Sequence, residues 1–177
     1  METFATERLL LRRWTPADAD FVFDLYSRWE VKQFIGAVPS IMESRQEAVD
    51  RIEKLRAFDH PVHGFWAVQN KQDGELLGTI LFKLIPASGE VPPVPSAETG
   101  IGWHFHPDAW GRGYASEVAT RVLAHGFEQG LERIVAVTSP DNRASQKVCL
   151  RIGMQHRGRT TDFYNTECEL FVAEQAS

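Results

Sequence analysis

His106-Pro107-Asp108-Ala109-Trp110-Gly111-Arg112-Gly113-Tyr114-Ala115-Ser116-Glu117 joins an apolar, strand-like run to a helical pattern through two glycines one residue apart. Glycine lets the backbone turn sharply and approach a ligand with no Cβ in the way. The N–H groups of a first helical turn lack intrahelical partners and lie at the positive end of the helix dipole, so the junction suits an anion such as a pyrophosphate. Thr99 to Phe105 supplies the strand, and Ala115, Val118, Ala119, Val122, Leu123, Gly126 and Phe127 follow at helical spacing. A plain glycine turn ahead of a helix is the alternative. No G-x-x-x-x-G-K-[ST] run is present, and no G-x-G-x-x-G precedes an acidic residue about twenty positions on, so the P-loop and Rossmann readings fail on spacing.

Outward from this junction, periodicity predicts strands near residues 8–13, 64–69, 76–85, 98–105, 134–138, 154–159 and 167–173, and helices near 16–29, 43–58, 113–129 and 144–152. Thr15 is expected to cap the first helix with Pro16 at its first position, and Asp141 or Asn142 to cap the last. Four prolines and a glycine between Pro86 and Ser96 read as an extended hairpin loop between two strands.

A chain of 177 residues, 43% hydrophobic and 24% charged, fits one α/β domain over residues 1–177 with a substantial core. The net charge of −5 and scattered basic residues argue against a nucleic-acid binder. No apolar run approaches the length of a membrane span and no basic-then-apolar leader is seen, which gives a cytoplasmic expectation without membrane partners. Cys149 and Cys168 form no metal-ligand spacing and are too few for a disulfide scaffold. His60, His63, His104 and His106 lack the spacing of a metal site, so no metal is expected.

The junction resembles the pyrophosphate loop of GNAT-family N-acetyltransferases, of pattern [QR]-x-x-G-x-[GA]. Trp110, Gly113 and Ala115 fill its first, fourth and sixth positions, with Trp110 departing from the usual first residue. Trp-Gly-[RK]-Gly-Tyr-Ala is similar to the branch that acetylates ribosomal protein N-termini. Thr6-Glu7-Arg8-Leu9-Leu10-Leu11-Arg12 with Thr15-Pro16-Ala17-Asp18-Ala19, and Asn142-Arg143-Ala144-Ser145 with Ile152-Gly153-Met154, extend the likeness over most of the chain. The resemblance implies a mixed central sheet of about seven strands with splayed central strands and flanking helices. It also implies direct acetyl transfer from acetyl-CoA to a primary amine, and leaves a homodimer open.

By that resemblance, backbone N–H groups from Gly111 through Arg112, Gly113, Tyr114 and Ala115 hold the pyrophosphate, with the Arg112 side chain at the rim. Trp103, His104 and Phe105 pair with the pantetheine arm where two strands splay. Asn142 contacts the arm and Ser145 lies near the sulfur, the alternatives being an N-cap and a helix-surface hydroxyl. Arg143, Lys147 and Arg151 share a helix face, and Arg143 or Lys147 is a partner for the 3′-phosphate. Many family members carry a tyrosine where this chain has Cys149; Ser145 is the preferred proton donor, and Cys149 is either a buried residue or the alternative donor. Relatives often place a glutamate where Gly100 stands here. That leaves Glu98 and His104, on the same strand face, as candidate bases. Tyr26, Trp29, Phe34 and Trp66 are core residues or line an acceptor pocket, and Phe163-Tyr164-Asn165 falls where the family makes acceptor contacts.

The expected acceptor is the α-amine of a protein or peptide. Neutralising a lysine amine at pH 7 costs about 4.6 kcal/mol, an α-amine only about 1 to 1.4 kcal/mol. A small polyamine or antibiotic amine, and a catalytically silent acyl-CoA-binding module, are the alternatives.

Overall fold

The computed structural model describes residues 2–92 and 94–175, so Pro93 of the proline-rich loop lies outside it. Alternation of apolar residues builds the first strands, β1 (Phe4–Ala5) and β2 (Leu9–Arg12), in which Leu9 and Leu11 are fully buried. The helix expected over 16–29 is divided. Pro16–Asp18 forms a 3-10 turn, α1 spans Ala19–Ser27 and α2 spans Trp29–Lys32, because Arg28 between them is extended (φ −88°, ψ 120°). The Asp18 carboxylate accepts from the Thr15 N–H at 2.7 Å and from Arg12 at 2.8 Å, which ties the entry of α1 to β2. Helix α3 (Arg45–Ala57) starts on a capping box between Ser44 and Glu47.

Strands β3 (Gly64–Asn70), β4 (Leu76–Pro86) and β5 (Pro95–Phe105) form an antiparallel meander, followed by α4 (Tyr114–Glu128), β6 (Arg133–Thr138), α5 (Arg143–Arg151), β7 (Gln155–Thr160) and β8 (Cys168–Glu174). The sheet runs β1-β2-β3-β4-β5-β6-β8-β7, eight strands rather than seven. The extra one is the two-residue β1, too short to leave a periodic signal. Strand β5 starts three residues before the expected Glu98, because the hairpin stays paired to Pro86 and Pro95.

Helix α4 lays Val118, Ala119 and Val122 on one face of the sheet, with Ile101, Phe105, Ile134 and Cys149 in the same cluster. The opposite face of the first half is covered by α1 and α3 around Leu25, Tyr26, Ala48 and Ile52. Strands β5 and β6 run parallel and pair only at Gly100 and Val135. Beyond that pair the carboxyl ends of the two strands separate, and the sheet opens into a wedge.

Candidate active site

The wedge leads into a cleft of about 570 Å³ whose walls include Trp103 and Phe105 from β5, Thr138 from the end of β6, Gly113 at the start of α4, and Asn142 and Ser145 from α5. The His106 N–H bonds the Leu77 carbonyl on β4. With Phe105 opposite Gly78, alternation sends the N–H groups of His104 and Gly102 to β4 and those of Trp103 and Phe105 into the wedge. An amide-bearing arm can therefore add there as a strand.

At the mouth, Gly111 (φ 74°) and Gly113 (φ 78°) both adopt the left-handed conformation, with Gly113 capping α4. The Arg112 carbonyl is drawn outward by Arg8 Nη1 at 3.0 Å. Arg8 in turn stacks on the Tyr114 ring at 4.6 Å and pairs with Glu117 at 2.7 Å. Burial raises the Glu117 carboxyl, but the Thr6 hydroxyl and the Arg8 N–H and guanidinium outweigh it and hold the group below its usual range. This acidic residue at the head of α4 is thus neutralised by Arg8, leaving the turn's N–H groups electropositive toward the cleft. Arg112 itself does not line the cleft, a correction to its expected place at the rim, because its backbone is turned toward Arg8.

Asn142 caps α5 and stands at the cleft. Its Oδ1 accepts from the Ser145 N–H at 3.1 Å, capping α5, while the side chain also lines the cleft, so Nδ2 is free to donate into it. Ser145 lines the same wall, and its hydroxyl has no protein partner among the described residues. Lys147 and Arg151 face the cleft, whereas Arg143 turns aside to Gln146 at 3.3 Å. Cys149 is fully buried behind them, with its thiol pushed up to about 12 by burial.

A second cleft of about 300 Å³ opens on the other side of β5 and shares Phe34, Gly102, His104 and Thr138 with the first. Glu98 lines neither. Its carboxylate lies 3.3 Å from Arg133 at the start of β6, which removes it from the base position expected for it. Nor is there room for a carboxylate in the family's usual seat, since a Cβ on Gly100 would collide with the buried Ile85 side chain. His104 does reach the junction of both clefts. Its Nδ1 lies 2.9 Å from the Tyr26 hydroxyl, which accepts from Arg51 Nη2 at 3.2 Å. Burial first, then the charges of Arg51 and Lys32, push His104 down to about 3, so it is neutral at any working pH. Burial raises the Tyr26 phenol, Arg51 opposing, so its proton stays on and is best placed toward His104 Nδ1. His104 thus meets the junction as a neutral imidazole tied through Nδ1 to Tyr26.

Of the candidate acceptor aromatics, Phe34 and Tyr164 line the second cleft. Trp66 is core and donates to the Glu2 carbonyl at 2.7 Å, and Trp29 is 56% exposed. Among the described residues of the proline-rich loop, 87–92 and 94–96, none lines either cleft. The loop braces the turn that does: Ala87 bridges Phe163, Ser88 N–H bonds the Asp162 carbonyl at 2.8 Å, and Asn165 Oδ1 accepts from Gly89 N–H at 2.7 Å. Sequence reasoning missed Arg51 and Lys83 in the second cleft. Lys83 is the lone cation in the apolar run of β4, a signal that was available; Arg51 sits among other charged residues of α3 and leaves none. Among the described residues no group of three His, Cys, Asp or Glu is placed to hold a metal, and no helix is long and apolar enough to cross a membrane.

The chain belongs to the GNAT family of acetyl-CoA-dependent N-acetyltransferases: residues 8–155 match the family model described as an acetyltransferase (GNAT) domain. It is similar to the N-acetyltransferase YoaA of Bacillus subtilis (strain 168), 34% identical over 155 residues that cover 86% of this chain and 82% of that protein. The crystal structure of a GNAT-family acetyltransferase from Bacillus anthracis has the same fold, with a TM-score of 0.79 at 23% identity and 98% of each chain covered. So does RimL, a ribosomal L7/L12 α-N-protein acetyltransferase in complex with coenzyme A, with a TM-score of 0.75 at 16% identity and 98% of each chain covered. The wedge, the glycine turn and the head of α5 fit such a ligand, offering strand-edge amides, a turn of free N–H groups and two cations in sequence along one cleft.

Proposed function

We propose that the enzyme acetylates the α-amine of a protein or peptide by direct transfer. The observation that carries this reading is the state of the carboxylates near the junction. Glu98 is held by Arg133, Ile85 fills the seat above Gly100, and the two carboxylates that do reach the clefts are engaged, Glu30 by Arg28 at 3.8 Å and Glu167 by Arg159 at 2.8 Å. A site so furnished suits an amine that is already partly neutral. The difference between an α-amine and a lysine amine, about 3 kcal/mol at pH 7, decides the preference. The α-N-protein activity in RimL's name agrees with it.

Acetyl-CoA, when bound, supplies the activated acetyl carbonyl and a thiolate leaving group. The Trp103 and Phe105 N–H groups align the arm, and those of β5 nearest the junction polarise the acetyl oxygen. The amine nitrogen bonds to the acetyl carbon as the carbon–sulfur bond breaks, and one proton passes from nitrogen to sulfur, with the Ser145 hydroxyl donating at the sulfur and being refilled from the amine side. No net proton is taken up. The test is release of coenzyme A with paired peptides, one with a free N-terminus and no lysine, the other N-terminally blocked with a free lysine. Turnover confined to the first supports the reading; turnover confined to the second overturns it.

A further inference from the structure

The second cleft presents donors and positive charge that the transfer step does not use. We propose that it seats a carboxylate carried by the acceptor close to its amine, so that the preferred acceptors are anionic amines. This rests on the α-amine reading above and names the acceptor's chemical class.

Arg51 lies over the Tyr26 ring at 4.4 Å and donates to its hydroxyl, while its buried Nε has no partner. No carboxylate pairs with it among the described residues. Lys83 Nζ reaches only the Leu84 carbonyl at 3.3 Å and the Tyr164 hydroxyl at 3.5 Å, both neutral. His104 adds a neutral imidazole to the lining. The one carboxylate lining this cleft, Glu167, is already held by Arg159. Arg51 lines the cleft with no carboxylate against it among the described residues, so an incoming carboxylate would supply the countercharge.

The floor is open beside Gly102, where a Cβ would meet only Leu81 at 3.9 Å, whereas Ile85 covers Gly100. Lys83 stands opposite Gly100 and Leu81 opposite Gly102, on the strand face that also carries His104. The volume of about 300 Å³ matches a small amino compound or the first residues of a peptide. Charge also selects the reactive form of the amine. Burial pushes both Lys32 and Lys83 below their usual range, Lys32 with Arg51 adding to it. An acceptor ammonium entering the same surroundings is disfavoured against its neutral form by the same physics. A polyamine would bring several positive charges into this field.

The carboxylate can belong to a free amino acid or to an acidic second residue of a peptide. Initial rates of coenzyme A release would be compared for alanine against alaninamide, Ala-Glu-amide against Ala-Gln-amide, Nα-acetyl-lysine against its amide, and spermidine. The same panel would be titrated calorimetrically into the coenzyme A-bound protein, so that the charge preference is read even without turnover. The expected carboxylate-to-amide ratio is tenfold or more in kcat/KM or in affinity, in the first pair for a free amino acid and in the second for a peptide. It should fall to about one in Arg51→Gln/Lys83→Met, with acetyl-CoA affinity retained as the check on folding. A ratio of one or below in every pair of the wild-type protein, or spermidine as the best acceptor, overturns the proposal, as does an unchanged ratio in the folded double variant. Turnover of Nα-acetyl-lysine alone with a carboxylate preference would sink the α-amine reading and leave the anionic preference standing.

Discussion

Trp110 Nε1 donates to the Phe105 carbonyl at 2.8 Å, so the glycine turn proposed for the pyrophosphate is tied by a side chain to the last residue of the strand proposed for the arm. The residue that departs from the family pattern thereby sets the spacing between two parts of one ligand site. Its ring is half exposed, so little burial depends on it. Trp110→Phe keeps an aromatic ring and removes the bond, worth about 1 kcal/mol. Acetyl-CoA affinity should fall about fivefold by calorimetry, with the acceptor ranking unchanged; full affinity would show that the loop holds its position without this tie.

Gly113 caps α4 at φ 78°, and a Cβ there would sit 3.6 Å from Arg8 Nη2, an ordinary contact. Gly113→Asp and Gly113→Asn therefore impose similar backbone strain and differ in charge. The aspartate variant is expected to bind acetyl-CoA at least tenfold more weakly than the asparagine variant, measured in protein of matched thermal stability. Equal affinities would remove the phosphate from this turn.

Cys149 is buried, with its thiol raised to about 12. A thiol in that state does not attack the acetyl group, and its burial outside the cleft lining keeps it from the departing sulfur. Cys149→Ala should keep kcat within about twofold while losing about 1 kcal/mol of stability through the small cavity. Rapid-quench mass spectrometry that trapped an acetylated Cys149 on the reaction path would contradict direct transfer.

His104 offers a pH test. Its unfolded value is near 6.5 and its folded value about 3, so between these limits the unfolded chain binds a proton that the folded one refuses. Its effect on stability is therefore absent above about pH 6.5 and grows as a loss while pH falls toward 3, at most about 1.4 kcal/mol per pH unit. Urea melts of the wild type and His104→Gln between pH 4 and 8 should diverge below 6.5, with the variant the less pH-sensitive. Parallel curves would mean that His104 takes up a proton in the folded state.

Asn165 stands at φ 53° and holds Gly89 and Glu90 of the proline-rich loop through its amide. Asn165→Gly accepts the same backbone conformation and removes those side-chain bonds, loosening the support under Tyr164. The acceptor KM should rise about two- to tenfold while acetyl-CoA affinity stays at the wild-type value. Unchanged acceptor kinetics would make the loop a surface feature with no part in the site.

The features proposed for the cofactor stand out in the sequence because they are local. Two glycines after a strand, Asn142 three residues before Ser145 and a helical stripe ending in Arg151 each declare themselves within a few positions. The acceptor side was not, because it is assembled from α1, α3, β4, β5 and the last hairpin, and nothing in the spacing of Tyr26, Arg51, Lys83 and His104 brings them together. Glu98 shows the limit of strand alternation. Periodicity placed it on the right face but could not say that Arg133, 35 residues on, would take its carboxylate. The two-residue β1, paired to Leu10 and Leu11 close by, is simply too short to leave a period.

A sheet whose central strands share one rung is two half-sheets leaning on a single hinge, with the missing rungs offered to a ligand. Whatever pairs along Trp103 to Phe105 finishes the protein's own backbone bonding as well as docking for reaction. The acyl donor is in that sense a structural part, and at a hundred times its dissociation constant it would add about 2.7 kcal/mol to the folded state. The persistence of this enzyme against unfolding is thus coupled to the supply of the molecule it consumes.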